Sequence, residues 1–599
     1  TGLSVIAVSN QKIITTTIAV SLGGAAGVTG ATTVNVLMTT TEAYIGNGAK
    51  INLNNEDATG AQSVIVKAIS NTKSIMVAGS VGAAAGAGVS GSFNIGIIGN
   101  ITRAFAGGII NTKGDMLVLA LSEENVNNII LNASGGGTVG AGAAIGVVVL
   151  EGETIAFVLA GADLKAGRDI LIHAVNDGYV NIDTFSGSGG GIAGVGGAVS
   201  VGVITHITKA YVADGADLAG AAKLYAARTL EVKAESKENI IGVAVSGAGG
   251  GTAGVAGAII VKIVNTTTQA YLGDYTLVNQ NNDGSLAENQ TVRVWAVDTV
   301  LSKGLGGSAS IGGVAGVGAS LDIAIVRNTV TAYIGRFTAV YAERDNNTAS
   351  PAGNVEVKAE SIKELESYVI AGSGGGAIGI GGAVAIISLG AKLNNESQES
   401  IADAASFVDN EISSDLVTGK LGNSEHVQGT EDNLKGKVTG LEVSGYLNDQ
   451  SATSLNKTQA YIGAGARVTA DQDINVSAGD STYASILAGG AGAGAVGVGG
   501  GIGIATIYTA TEAFVDSNAQ LHANGDIIIK AWNKENRNRT SSVQGFGGAA
   551  GLIGLGAAVA YLDVENDVRA YLAHSVQVLK ANSLEVLATA ENSIEATAI

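Results

Sequence analysis

In the segment Leu230-Glu-Val-Lys-Ala-Glu-Ser236, the apolar Leu230, Val232 and Ala234 alternate with Glu231, Lys233 and Glu235. That period of two belongs to a β-strand with one buried face. Segments of the same kind close on Ala7, Ala68, Ala120, Ala174, Ala234, Ala296, Ala359, Ala478, Ala531 and Ala588. After each comes a polar link and then a Gly/Ala-rich stretch, and a further apolar strand such as Ala383-Val-Ala-Ile-Ile-Ser follows. At the start of the chain this order predicts one strand over 3–9 and a second over 14–22, with the first glycine patch at 23–30.

The order recurs to the end of the chain, and 458–478 shows it in full: Thr-x-Ala-Tyr-Ile-Gly-x-Gly-Ala-x-Val, then Ile-x-Val-x-Ala. Its aromatic position returns as Tyr44, Phe105, Phe157, Tyr211, Tyr271, Tyr333, Tyr461, Phe514 and Tyr571, with most copies 52 to 63 residues apart. Repetition at this period points to a solenoid, in which each unit buries its apolar face against its neighbours. The fold expected is all-β, a right-handed parallel β-helix of nine repeats. It divides into solenoid repeats over 1–390, an insertion over 391–457 and further repeats over 458–599.

Two windings fit the period. Three coils of roughly 17–20 residues per repeat is the favoured one and predicts a rod on the order of 130 Å. One wide coil per repeat gives about a third of that length. The two differ at the aromatic column, whose rings would lie about 14 Å apart in the first case and ~4.8 Å apart in the second. Two residues before each ring stand Glu42, Arg103, Ile155, Lys209, Gln269, Thr331, Gln459, Glu512 and Arg569, so strict alternation turns the rings outward. They either cover a corner or form a row of platforms for a glycan or protein partner. Phe replaces Tyr in three of the nine copies, so no chemistry of the hydroxyl is required.

Composition narrows the class. Gly contributes 89 residues and aromatics only 4%, so close backbone approach replaces a core of large side chains. A single proline, Pro351, leaves almost every N–H free to join a ladder. No cysteine is present, which excludes a disulfide framework and suits export of an unfolded chain through a narrow pore. The net charge of −19 argues against nucleic acid and anionic membranes as partners. The chain opens in the same phase of the repeat as 584–588, so a longer parent protein or end-to-end association is expected.

Candidate chemistry is sparse. His173, His206, His426, His522 and His574 are scattered without paired ligand spacing, and no glycine segment ends in Gly-Lys-Ser/Thr. Asp471, Asp473 and Asp526 fall in turns, where carboxylates cap backbone N–H groups. No catalytic residue, metal or cofactor is expected. The uncharged run 483–511 is rich in glycine and recurs with the repeat, unlike a membrane helix. Loop length varies chiefly after the aromatic corner, at 54–62, 275–290 and 336–353. The insertion holds eleven acidic residues and five lysines and is expected to form a short helix and a loop or hairpin.

With its Gly-Val-Gly-Gly-Ala-Val-Ala segment, the repeat resembles the repeat region of large secreted filamentous adhesins of Gram-negative anaerobes, the group of the fusobacterial leukotoxin, related in architecture to filamentous haemagglutinin. The resemblance covers nearly all of the chain apart from the insertion. It implies an extracellular or cell-surface location, passage through an outer-membrane secretion pore, and contact with a protein or glycan of host or neighbouring cells. The function expected is therefore a non-enzymatic shaft of such an adhesin. A self-assembling filament or sheath subunit and a pore-forming module using the Gly-rich strands are the alternatives.

Overall fold

The structure is a computed structural model and describes residues 2–280, 290–342, 353–390, 456–535 and 539–599. The described residues form a right-handed parallel β-solenoid without helices. Each repeat makes one wide coil. In the third rung, a first long strand, Met116–Gly136, reaches a two-residue bend and returns as a second long strand, Val139–Val158. A short strand, Asp163–Ala166, then leads to Ile170, where the next rung begins. Stacking nine such rungs and the start of a tenth builds two long sheets face to face and a nine-stranded short sheet closing their wide end.

This winding corrects the favoured expectation of three coils per repeat. The polar links that read as corners lie in mid-strand: Leu3–Gly23 is one strand of 21 residues, and Thr229–Gly250 runs unbroken through Glu235-Ser-Lys-Glu-Asn239. At ~3.3 Å per residue the long strands span about 70 Å, whereas nine rungs at ~4.8 Å rise only about 43 Å. The body is a broad wedge, wider than it is tall.

Register is kept from rung to rung, so equivalent residues form columns. Ala7 pairs with Ala68 and that with Ala120, and Tyr211 pairs with Tyr271 and that with Tyr333. The corners around the short sheet hold turn chemistry. Gly108 has φ +83 and a Cβ there would meet Ala49 O at 2.3 Å, so only glycine fits. Turn carboxylates accept N–H groups of the next rung, Thr229 N to Asp169 Oδ1 at 3.0 Å and Asp526 N to Asp473 Oδ1 at 2.8 Å.

Between the long sheets the filling changes with distance from the short sheet. The wide end is aliphatic, with Val64, Val66, Ala104 and Ile110 in one continuous core. A polar band comes next, then a second aliphatic core containing Met76, Ile98 and Val148. Beyond it the sheets converge until backbone meets backbone: a Cβ on Gly490 would lie 2.2 Å from Gly500 O. The Gly/Ala segments are thus the thin edge of the wedge. The outer face of the second long sheet carries separate Ile/Val columns, among them Ile95, Val147, Val201 and Ile323.

The run 483–511 is accounted for by the two long strands of the eighth rung, Ile474–Ala493 and Val496–Val515. In the seventh rung the second long strand stops at Leu389 and resumes at Asn456, and both pieces pair with one strand of the sixth rung. Asn456 and Lys457 belong to the solenoid. The expected helix and hairpin fall on 391–455, outside the described residues.

Candidate interaction surface

The aromatic column stands where the second long strand ends, with Ala43, Ala104 and their equivalents pointing inward and the rings outward. One coil per repeat sets the rings one strand spacing apart. Tyr44, Phe105, Phe157, Tyr211, Tyr271, Tyr333, Tyr461, Phe514 and Tyr571 form a single stack, with centroids 4.7 to 5.1 Å apart and planes within 20° of parallel. Tyr333 and Tyr461 are neighbours at 4.8 Å although the insertion separates them in sequence. A shorter stack, Tyr275 on Phe337 at 5.3 Å, lies at an adjoining corner.

Stacking consumes the ring faces. A saccharide or peptide meeting the middle of the column would touch ring edges and hydroxyls, since the flat π-surfaces already cover one another. Burial raises the Tyr461 hydroxyl to about 12 and raises those of Tyr271 and Tyr333 further, so these phenols stay protonated and can donate. Charges flank the column. Arg103 bridges Glu42 at 3.4 Å and Glu153 at 2.9 Å, and Glu512 lies between Lys457 at 3.4 Å and Arg569 at 3.7 Å.

The polar band inside the wedge is the feature that sequence reading missed. One column of the first long sheet reads Ser70, Ser122, Asn176, Ser236, Asp298, Ser361, Asp480 and Asn533, all buried. The facing column includes Asn100, His206, Thr266 and Asn328. Bonds cross the band: Ser361 Oγ donates to Asn328 Oδ1 at 2.8 Å between the two columns, and Asn100 Nδ2 donates at 2.8 Å to Oε1 of Glu124, two residues along the strand from Ser122. The signal in the sequence was a polar residue at one phase of every repeat, legible only once the register is known.

Burial governs ionisation in this band. It lifts Glu124 to about 7 against the bonds from Ser122 and Asn100, and it lifts Asp298 to about 6. Glu238 is raised by burial first and then by the charge of Glu124. Burial pushes His206 down to about 3, so its 3.3 Å contact with Glu238 is made by a neutral imidazole. Lys262 and Asp322 form an enclosed ion pair at 2.9 Å, and Lys363 pairs with Asp480. These groups sit behind closed sheets and cannot reach a dissolved substrate.

Of the other histidines, His173 contacts Glu231 at 2.8 Å and His522 lies on the short sheet, while His426 is outside the described residues. Among the described residues no three His, Asp or Glu are grouped to hold a metal. No protein-family model, no curated protein and no solved structure matches this chain.

Proposed function

We propose that the chain is a non-enzymatic extracellular shaft of a large secreted adhesin or leukotoxin-like surface protein that contacts host or neighbouring cells. The observation that carries this reading is repetition: nine rungs repeat one scaffold in register, with one continuous aromatic stack along one edge. Enclosure of Glu124, Glu238 and Asp298, the carboxyls whose proton affinity is raised, supports a mechanical rather than a chemical role. The absence of cysteine fits passage of the unfolded chain through an outer-membrane pore. About 60 residues are spent per ~4.8 Å of rise, so the shaft is broad and stiff rather than long, and it offers wide lateral surfaces to a protein or glycan.

Beads coated with the purified chain should adhere to host epithelial cells or leukocytes under flow above the level of albumin-coated beads. A uniformly non-adherent chain that instead hydrolyses surface polysaccharide would overturn the reading.

A further inference from the structure

We infer that the glycine-rich edge of the wedge is a lipid-immersed blade, which enters the hydrocarbon of a bilayer as a folded unit. Counted from the bend between the long strands, seven residues on each side carry no charge on any of the nine complete rungs. At ~3.3 Å per residue this charge-free depth is about 23 Å. A hydrocarbon core is ~30 Å thick, so the blade is deep enough to pass the midplane and too short to span.

Its surface is apolar on three sides. Val81, Val245 and Ile370 are exposed on the first long sheet, Val89, Val255 and Ile380 on the second, and Ile192 and Val314 at the bends between them. On the second through eighth rungs most exposed large hydrophobic side chains lie in this blade. A partner protein usually covers one apolar face. Two faces and the edge joining them favour surroundings that are themselves apolar. The first face also holds a groove of about 490 Å³, where Gly79 and Gly187 leave space among Ile18, Leu131, Phe185 and Val245, and this lining suits an acyl chain.

From the second through the eighth rung the backbone meets the condition that lipid imposes, and the first and ninth rungs each leave one strand edge open. Hydrocarbon tolerates only paired N–H and C=O groups, and here the strands pair rung to rung. The bends pair as well: Gly191 N donates to Gly136 O at 3.1 Å and Thr252 N to Ile192 O at 2.8 Å. Above the blade the first outward charges, Asp183, Lys303 and Glu366, stand at the level of a headgroup region.

The inference does not depend on the adhesin reading and is tested separately. Because the chain has no cysteine, a single polarity-sensitive dye can be placed by Val314→Cys at the blade edge or by Ala219→Cys at an exposed far corner. With uncharged phosphatidylcholine vesicles, chosen because the chain carries −19, the dye at 314 should shift to the blue and be quenched by brominated acyl chains. The dye at 219 should remain in water. Ile311→Glu with Ile370→Glu, both at outward positions, should weaken vesicle flotation by roughly tenfold or more while leaving the β-sheet circular dichroism unchanged. Absence of flotation, or equal quenching at both sites, overturns the inference. A blue shift at 314 that needs no vesicles and grows with protein concentration also overturns it, and assigns the blade to a second copy of the chain.

Discussion

Glu238 occupies the space that Gly178 leaves empty one rung below: a Cβ on Gly178 would lie 2.0 Å from Glu238 Oε2. The carboxyl is fully enclosed and has His206 on its other side at 3.3 Å, so it has nowhere to swing. Gly178→Ala should therefore destabilise the solenoid by ~1–3 kcal/mol, the usual cost of overpacking. A matched pair of urea denaturation curves checks this, and an unchanged midpoint would show that Glu238 repacks freely.

Stability should respond to pH through the same band. Glu124 is raised to about 7 and Asp298 to about 6. A carboxyl raised on folding holds its proton more tightly in the native state, so its contribution is complete below its unfolded value and is lost as pH rises through the folded one. For Glu124 that window runs from about pH 4.5 to 7 and is worth about 3 kcal/mol. His206 works oppositely: its contribution is present above about 6.5 and is lost as pH falls through about 3. Glu124→Gln keeps the acceptor for Ser122 and Asn100 and removes the titration. Denaturation midpoints at pH 5 and pH 8 should lie closer together in this variant than in the parent, and an identical gap would refute the assignment.

The band also explains how much of the fold was legible. Repeat number follows from recurrence. The β type and the outward turn of the rings follow from alternation, as in Leu230–Glu235, where only one face is buried. The stretches 3–9 and 14–22, however, read as two strands and are one. The winding did not follow, because Ser236 and Glu238 in the interior and Ile95 and Ile97 on the outer face invert the binary pattern in mid-strand. A polar run that lies inside a sheet has the same composition as a corner. Likewise the rings announced a surface, but whether their faces were free depended on the rise per repeat. Close backbone approach at the glycines was legible, but the apolar edge was not, because it depends on where the long strands bend, and Gly136 and Val139 flank such a bend without any break in composition.

Glycines in the blade should differ sharply in what they tolerate. A Cβ on Gly312 would lie 1.9 Å from Ala315 O, and that backbone atom is fixed by the bend. Gly247 has open space around the same position. Gly312→Ala should cost several kcal/mol or prevent folding, on the order of other severe core disruptions. Gly247→Ala should be neutral or stabilise by ~0.4–1 kcal/mol, by restricting the unfolded chain. Thermal melting of the two variants decides it, and equal effects would mean that the sheets are not in backbone contact at this edge.

The aromatic stack should behave as a line of pairwise contacts in which an interior ring counts twice. Tyr271 stacks on Tyr211 at 4.8 Å and on Tyr333 at 4.7 Å, whereas Tyr44 has one stacked neighbour among the described residues, Phe105. With ~0.5–1.5 kcal/mol per stacked pair beyond area burial, Tyr271→Ala should cost ~1–3 kcal/mol more than its lost apolar area, about double the corresponding term for Tyr44→Ala. Tyr271→Phe should be close to neutral, because Phe105, Phe157 and Phe514 already hold the same place in the column. The three variants are compared by chemical denaturation and by near-ultraviolet circular dichroism, which reports coupling between adjacent rings. A Tyr271→Phe loss as large as that of Tyr271→Ala would shift the weight from the ring faces to the hydroxyl. The outward edge of the column would then act through hydrogen bonding rather than through stacking.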